Sequence, residues 1–67
     1  MSKIMPDYQL RVVAERDELR DRLERLETFI QGPKFPEVNV EEQHRLQTQA
    51  DAMQLYLNIL IDRIGNF

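Results

Sequence analysis

The sequence predicts an all-α fold: an antiparallel hairpin of two long helices that pairs with a further copy of itself. Apolar side chains recur at alternating spacings of three and four residues in both halves of the chain, which is typical of helices packed lengthwise. A short segment containing the glycine and proline of Gly32-Pro33 separates the halves. The second half also carries more apolar residues than one helix partner can cover, which predicts the pairing.

The C-terminal half has the stronger pattern. We call its regularly spaced apolar side chains the α2 seam: Leu46, Ala50, Met53, Leu57, Leu60, Ile64 and Phe67. Asn39 followed by Glu42 is typical of a capping box, in which two side chains satisfy free amides at a helix start. We therefore predict helix 2 over residues 40–64, closed by Gly65-Asn66.

The N-terminal half has a weaker seam, because polar residues occupy two of its positions. The α1 seam consists of Gln9, Val12, Arg16, Leu19, Leu23, Leu26 and Ile30. Helix 1 is predicted over residues 7–31, with the carboxylate of Asp7 as its cap and Gly32 in the left-handed conformation that often follows a helix. Residues 1–6 are predicted to be a flexible tail, residues 7–67 a single domain, and residues 32–39 the connection.

Composition excludes several classes of protein. The chain has 67 residues, no cysteine, one histidine and a net charge of -3. Disulfides and the common zinc frameworks are therefore excluded, and we expect no metal and no cofactor. The chain has no excess of basic residues to bind the phosphates of a nucleic acid, and no apolar run long enough to span a membrane. We therefore expect neither a nucleic acid nor a membrane as a partner.

Self-association is predicted from a second apolar surface. One contact line between two helices buries too little to order about 60 residues. An oligomer interface is predicted at five residues that lie outside the seams: Phe29, Leu55, Tyr56, Ile59 and Ile61. A dimer forming an antiparallel four-helix bundle is the simplest closed solution, and a trimer or hexamer of hairpins stays open.

A few side chains could contact a ligand or partner. Tyr8 and the pair Lys34-Phe35 combine an aromatic ring with a cation, which suits a nucleobase and its phosphate. Aromatic residues that merely cover the ends of the bundle are the alternative. Arg16 is either a buried charge kept for recognition or an arginine that reaches the helix edge and pairs with Glu15, Asp17 or a residue of the other helix.

Nothing in the sequence indicates catalysis. His44 has no evident partner for acid-base chemistry, and the carboxylates of helix 1 alternate with arginines, as on a solvated helix face. The chain contains no glycine-rich phosphate loop and no pairing of a nucleophile with a base. We therefore predict that the protein is not an enzyme and has no catalytic residues.

The packing residues resemble a family of very small proteins encoded by tailed phages and prophages. The first helix matches the pattern EL-x3-L-x2-L-x2-FI from Glu18 to Ile30, and the second matches L-x2-Q-x3-M-x2-Y-x3-L-x2-RI from Leu46 to Ile64. The resemblance covers about residues 11–67. It carries over no functional residue, because these motif positions are packing positions.

The resemblance implies a phage protein that acts on its bacterial host, in the host cytoplasm. Small helical phage proteins include inhibitors of host regulators and of defence components, and also oligomeric sponges for cyclic nucleotides. The first expectation is a non-enzymatic hairpin oligomer that binds and inhibits a host protein. The alternative is an oligomer that sequesters the cyclic nucleotide signals of anti-phage immunity.

Overall fold

The computed structural model describes residues 5–67, and all of their regular structure is helical. Helix α1 spans Asp7–Ile30, a short 3₁₀ helix spans Phe35–Glu37, and helix α2 spans Val40–Gly65. These bounds differ by one residue at the C-terminal end of each long helix from those predicted. Most of the predicted tail, residues 1–6, lies outside the described residues.

The ends of α1 differ from the prediction in their capping. The residue preceding the helix is Pro6, whose carbonyl accepts hydrogen bonds from the amides of Gln9 and Leu10, and the Asp7 side chain forms no cap. At the other end Gln31 stays in the right-handed helical region, and Gly32 does not adopt a positive φ. Gly32 instead permits a close approach, since a Cβ atom there would lie 3.2 Å from the carbonyl oxygen of Thr28.

Half of the predicted capping box forms at the start of α2. The side-chain oxygen of Asn39 accepts a hydrogen bond from the backbone N–H of Glu41 at 2.8 Å, which satisfies one free amide of the first turn. The expected return bond from Glu42 is absent in the described chain. Glu42 pairs with Arg45 instead, at 2.7 Å.

The two seams form the core of the hairpin. Val12 and Leu23 of α1 are buried against Leu57 and Leu60 of α2, and Leu60 has no exposed surface. The remaining seam residues within the two helices are half-buried. The predicted antiparallel hairpin is therefore confirmed, with the best-packed part of the core in the second half of α2.

The hairpin is a rod rather than a sphere. It measures 54 × 17 × 14 Å, and its radius of gyration is 15.7 Å. A compact domain of this length has a radius of gyration of about 11 Å. Each helix therefore buries one narrow side and exposes the rest, which leaves two broad faces for binding.

Candidate binding surface

Arginines and aromatic rings concentrate on one broad face of the hairpin. Each residue of an α-helix is rotated by about 100° around the helix axis from the residue before it. The position of a residue in the sequence therefore gives the side of the seam on which it lies. We define the basic-aromatic face by Tyr8, Arg11, Arg22 and Phe29 of α1, Arg45, Tyr56, Ile59 and Arg63 of α2, and Phe67. Five carboxylates share this side by helical spacing: Asp7, Glu15, Glu18, Glu41 and Glu42, of which Glu42 is paired with Arg45.

The opposite face is acidic and rich in amides. Glu27 and Gln31 of α1 meet Gln47 and Asp51 of α2 there, where they line a shallow cavity of about 180 Å³. Glu24, Gln54 and Asn58 continue the same side by helical spacing. A dense anion would be repelled here, so the two faces differ in the ligands that they can accept.

The open end of the hairpin brings the two ends of the chain together. The ring of Tyr8 meets the ring of Phe67 edge to face, with their centroids 6.1 Å apart. Both rings keep exposed surface, 56 % for Tyr8 and 39 % for Phe67. The pair joins the first turn of α1 to the C-terminal end of α2 and presents an aromatic surface to solvent.

The loop end is built around a buried ring. Phe35 retains only 8 % of its surface, and it packs edge to face against Phe29 at 6.2 Å. Phe35 therefore follows the alternative in which aromatic residues cover the ends of the bundle, and in the single chain its ring is part of the core rather than an available contact. Lys34 stays exposed beside a shallow apolar cavity of about 310 Å³, which Phe29 and Gly32 also line.

Arg16 reaches the helix edge and pairs with a carboxylate, which is the second of the two alternatives that the sequence left open. Its Nε donates to Oδ1 of Asp17 at 2.7 Å, and 24 % of its side chain is exposed. The aliphatic stem fills a seam position while the guanidinium reaches the edge of the helix. This arginine is therefore neutralised within the hairpin, unlike Arg11 and Arg63, which form no ion pair within residues 5–67.

The residues predicted for the oligomer interface are all exposed in the single chain, but they do not share one face. Leu55 is 63 % exposed, Ile59 50 % and Tyr56 43 %, and the three lie side by side on the outer surface of α2. Ile61 follows Ile59 by two residues and therefore lies about 160° away around the helix. We define the apolar stripe as Leu55, Tyr56 and Ile59; Ile61 lies outside it, and Phe29 lies at the loop end of α1.

Three further exposed apolar residues were not singled out from the sequence, and one of them, Met5, precedes α1. Leu10 is 50 % exposed on the outer side of α1, and Val40 is 76 % exposed at the start of α2. Leu10 has only the half-buried Val13 and the small Ala14 at helical spacing, and Val40 has no apolar neighbour there. Isolated exposed apolar residues of this kind are common in proteins and need no partner.

Within residues 5–67 no group of three histidine, aspartate or glutamate side chains is arranged to hold a metal ion. No helix in that range is long and apolar enough to cross a membrane. The described surface offers stacking rings, guanidinium groups and apolar side chains.

These features define a small two-helix hairpin protein with exposed aromatic rings and arginines on one face. The chain belongs to the Sequestin family, whose sequence profile matches residues 6–66. It is also similar to an uncharacterized 7.5 kDa protein from the denB-rIIB intergenic region of Enterobacteria phage T4, with 37 % identity over 60 residues, which are 90 % of this chain and 94 % of that protein. No solved structure matches the chain significantly.

Proposed function

We propose that this chain is a phage-encoded sequestering protein, which binds a bacterial host molecule stoichiometrically and withholds it from its receptor without changing it chemically. The family name and the T4 relative support this proposal. In such a role the protein is not an enzyme, needs no cofactor and acts in the cytoplasm of the infected host.

The composition of the basic-aromatic face favours an anionic nucleotide signal of anti-phage immunity as the target. Exposed rings can stack on a base, and guanidinium groups bind phosphate oxygens through paired hydrogen bonds. The overall charge is -3, and the carboxylates of Glu24, Glu27 and Asp51, which contribute to it, lie on the opposite side of the hairpin. The uneven distribution of charge between the faces is the observation that carries this choice.

A host protein is the second candidate, and the apolar stripe is the observation that favours it. Tyrosine and arginine are the residues that most often dominate binding energy in protein interfaces, and Tyr56 lies among exposed apolar side chains. A regulator or defence component of the host would then be inhibited by direct contact. This candidate requires that the stripe stays free, whereas self-association would cover it.

We also propose that hairpins associate through the apolar stripe. The single chain exposes 5,466 Å², whereas a folded monomer of 8.0 kDa exposes about 4,450 Å² on average. The excess of roughly 1,000 Å² is close to the 800 Å² that each partner contributes to a standard interface. A dimer would convert the exposed rod into a four-helix bundle. It would cover Tyr56 and Ile59 and leave the rest of each basic-aromatic face exposed.

Thermal unfolding in the presence of nucleotides tests the proposed function. A ligand at one hundred times its Kd stabilises the native state by about 2.7 kcal/mol. For a domain of this size that corresponds to a rise in Tm on the order of 10 °C. We expect such a rise with at least one member of a panel containing cyclic di-AMP, cyclic di-GMP, cyclic GMP-AMP and cyclic tri-AMP, followed by circular dichroism.

Adenosine and inorganic phosphate are the matched controls, because each supplies only one half of the nucleotide chemistry. Neither should raise the Tm by more than a small fraction of the nucleotide effect. An unchanged Tm with every cyclic nucleotide would contradict the nucleotide assignment and leave a host protein as the target class.

A further inference from the structure

A shallow apolar cavity lies at the loop end of the hairpin, where α1 runs into the connection. Its volume is about 310 Å³, and it is lined by Thr28, Phe29, Gly32, Pro33 and Lys34. The hydroxyl of Thr28 donates to the carbonyl oxygen of Glu24 at 2.8 Å, so the polar end of that side chain is already satisfied. Sites that enclose a whole small ligand measure about 300–1,000 Å³. A shallow cavity at the lower end of that range suits a single large side chain of a bigger partner.

The aromatic wall of this cavity is held in place before anything binds. The ring of Phe29 packs edge to face against Phe35, with the centroids 6.2 Å apart. Phe35 is buried, whereas 40 % of Phe29 remains exposed. A wall that is already ordered costs little conformational entropy when a partner side chain packs against it.

A backbone acceptor is left open beside the cavity. The amide of Gln31 bonds to the carbonyl of Glu27. The amide of Gly32 bonds to the carbonyl of Phe29, so the carbonyl of Thr28 accepts no hydrogen bond within residues 5–67. Gly32 keeps that oxygen open, because a Cβ atom there would lie 3.2 Å from it. The last turn of α1 has no basic residue to cap it, so an N–H of a partner can bond to this oxygen.

Lys34 places a positive charge at the rim of the cavity. Its side chain is exposed, and it forms no ion pair in the part of the chain that the structure describes. Glu37 follows three residues later in the 3₁₀ helix without pairing with it. The ammonium group of Lys34 can therefore attract a carboxylate of a partner.

We propose that the loop-end cavity is a docking site for an extended segment of another protein in which an aromatic residue is directly followed by an acidic one. The ring enters the cavity, the N–H of the aromatic residue donates to the carbonyl oxygen of Thr28, and the carboxylate pairs with Lys34. No aromatic residue of this sequence is directly followed by aspartate or glutamate, which favours a different protein over a second copy. The site adds a protein partner to the proposed function and does not depend on nucleotide binding.

The test is a titration of the full chain with a probe peptide, acetyl-Ser-Gly-Phe-Asp-Gly-Ser-amide, followed in two-dimensional amide NMR spectra. We expect saturable shifts confined to residues 28–35. Three changes to the probe should each weaken binding about tenfold or more: alanine for its phenylalanine, asparagine for its aspartate, and methylation of the phenylalanine nitrogen. These probes are compared on the wild-type protein, so their result does not depend on how a substitution affects folding.

A charge exchange tests the role of Lys34. The Lys34→Glu variant should bind the aspartate probe about tenfold more weakly, and it should prefer a probe with lysine in place of the aspartate. Arg20→Glu is the matched control, because it reverses another exposed cation of α1. Arg20 lies about 13 Å along the helix from Phe29, beyond the Debye length at physiological salt, so both affinities should stay within about twofold of wild type.

Loop-end shifts that weaken with the altered probes and follow the charge exchange support the site. Absence of shifts with concentrated probe, shifts confined to other residues, or equal binding by wild type and Lys34→Glu would overturn it. Shifts of residues 28–35 on dilution of the protein alone would show that a second copy covers the cavity, which would also overturn the proposal. Nucleotide binding by the wild type is measured separately, so it stands or falls independently of these outcomes.

Discussion

Replacing Leu60 with alanine is expected to lower the free energy of unfolding by about 2–5 kcal/mol. Leu60 has no exposed surface, and it lies in the α2 seam against α1. Removing its branched end deletes apolar contacts and leaves a cavity that a rod with a single core line cannot easily close. For a chain of 67 residues this loss is comparable to the whole stability of many small domains.

The matched control is Leu10→Ala, which removes the same atoms from a residue that is 50 % exposed. We expect a loss of less than about 1 kcal/mol there, because half of the side chain already contacts water and alanine favours the helix. Urea denaturation followed at 222 nm gives both values at one protein concentration. Equal losses for Leu60→Ala and Leu10→Ala would contradict the packing described for the seams.

Replacing Ile59 with aspartate is expected to abolish self-association while leaving the hairpin folded. Ile59 is 50 % exposed and lies in the apolar stripe, so the substitution places a charge in the proposed interface without touching the core. An unpaired charge buried between two copies costs several kcal/mol. Light scattering after size-exclusion chromatography should change from at least about 16 kDa, twice the 8.0 kDa chain, to a single chain.

Leu10→Asp is the control for this experiment, since Leu10 is also 50 % exposed but lies on α1 outside the apolar stripe. It should keep the wild-type mass. A wild-type protein that is a single chain at tens of micromolar, or a Leu10→Asp variant that dissociates like Ile59→Asp, would show that the apolar stripe is not the interface.

The seams could be predicted from the sequence because they depend on spacing alone. A run of three- and four-residue intervals places Val12, Leu23, Leu57 and Leu60 on facing helix sides whatever the loop does, and these are the residues that the structure buries. Gly32-Pro33 was enough to set the break between the helices. The hairpin therefore follows from local periodicity and one interruption.

The ends of the helices were harder to predict, because several local interactions compete there. At the start of α1 the carbonyl of Pro6 accepts hydrogen bonds from the amides of Gln9 and Leu10, and the carboxylate of Asp7 forms no cap. Glu42 can reach either the amide of Asn39 or the guanidinium of Arg45, and the ion pair forms. Phe35 lies in the connection between the helices, where no helical periodicity indicates whether a side chain is buried or exposed.

The candidate binding surface could not be predicted from the sequence, because it depends on the register between the two helices. The pattern of residues within one helix does not determine that register. Tyr8 could be identified as an exposed ring, but its contact with Phe67 requires knowing that position 8 lies opposite position 67. The unequal division of net charge between the two faces has the same origin. Net charge is a sum over the chain and hides this division.

Sequestration itself is tested most directly by retention and release. The protein is mixed with a slight molar deficit of the panel nucleotide that binds it and passed through a membrane that retains proteins. The filtrate is assayed, and the retained fraction is then heated and filtered again. We predict that the nucleotide is absent from the first filtrate and recovered chemically intact, in full, from the second. Free nucleotide in the first filtrate, or a shortened or opened product in the second, would contradict sequestration.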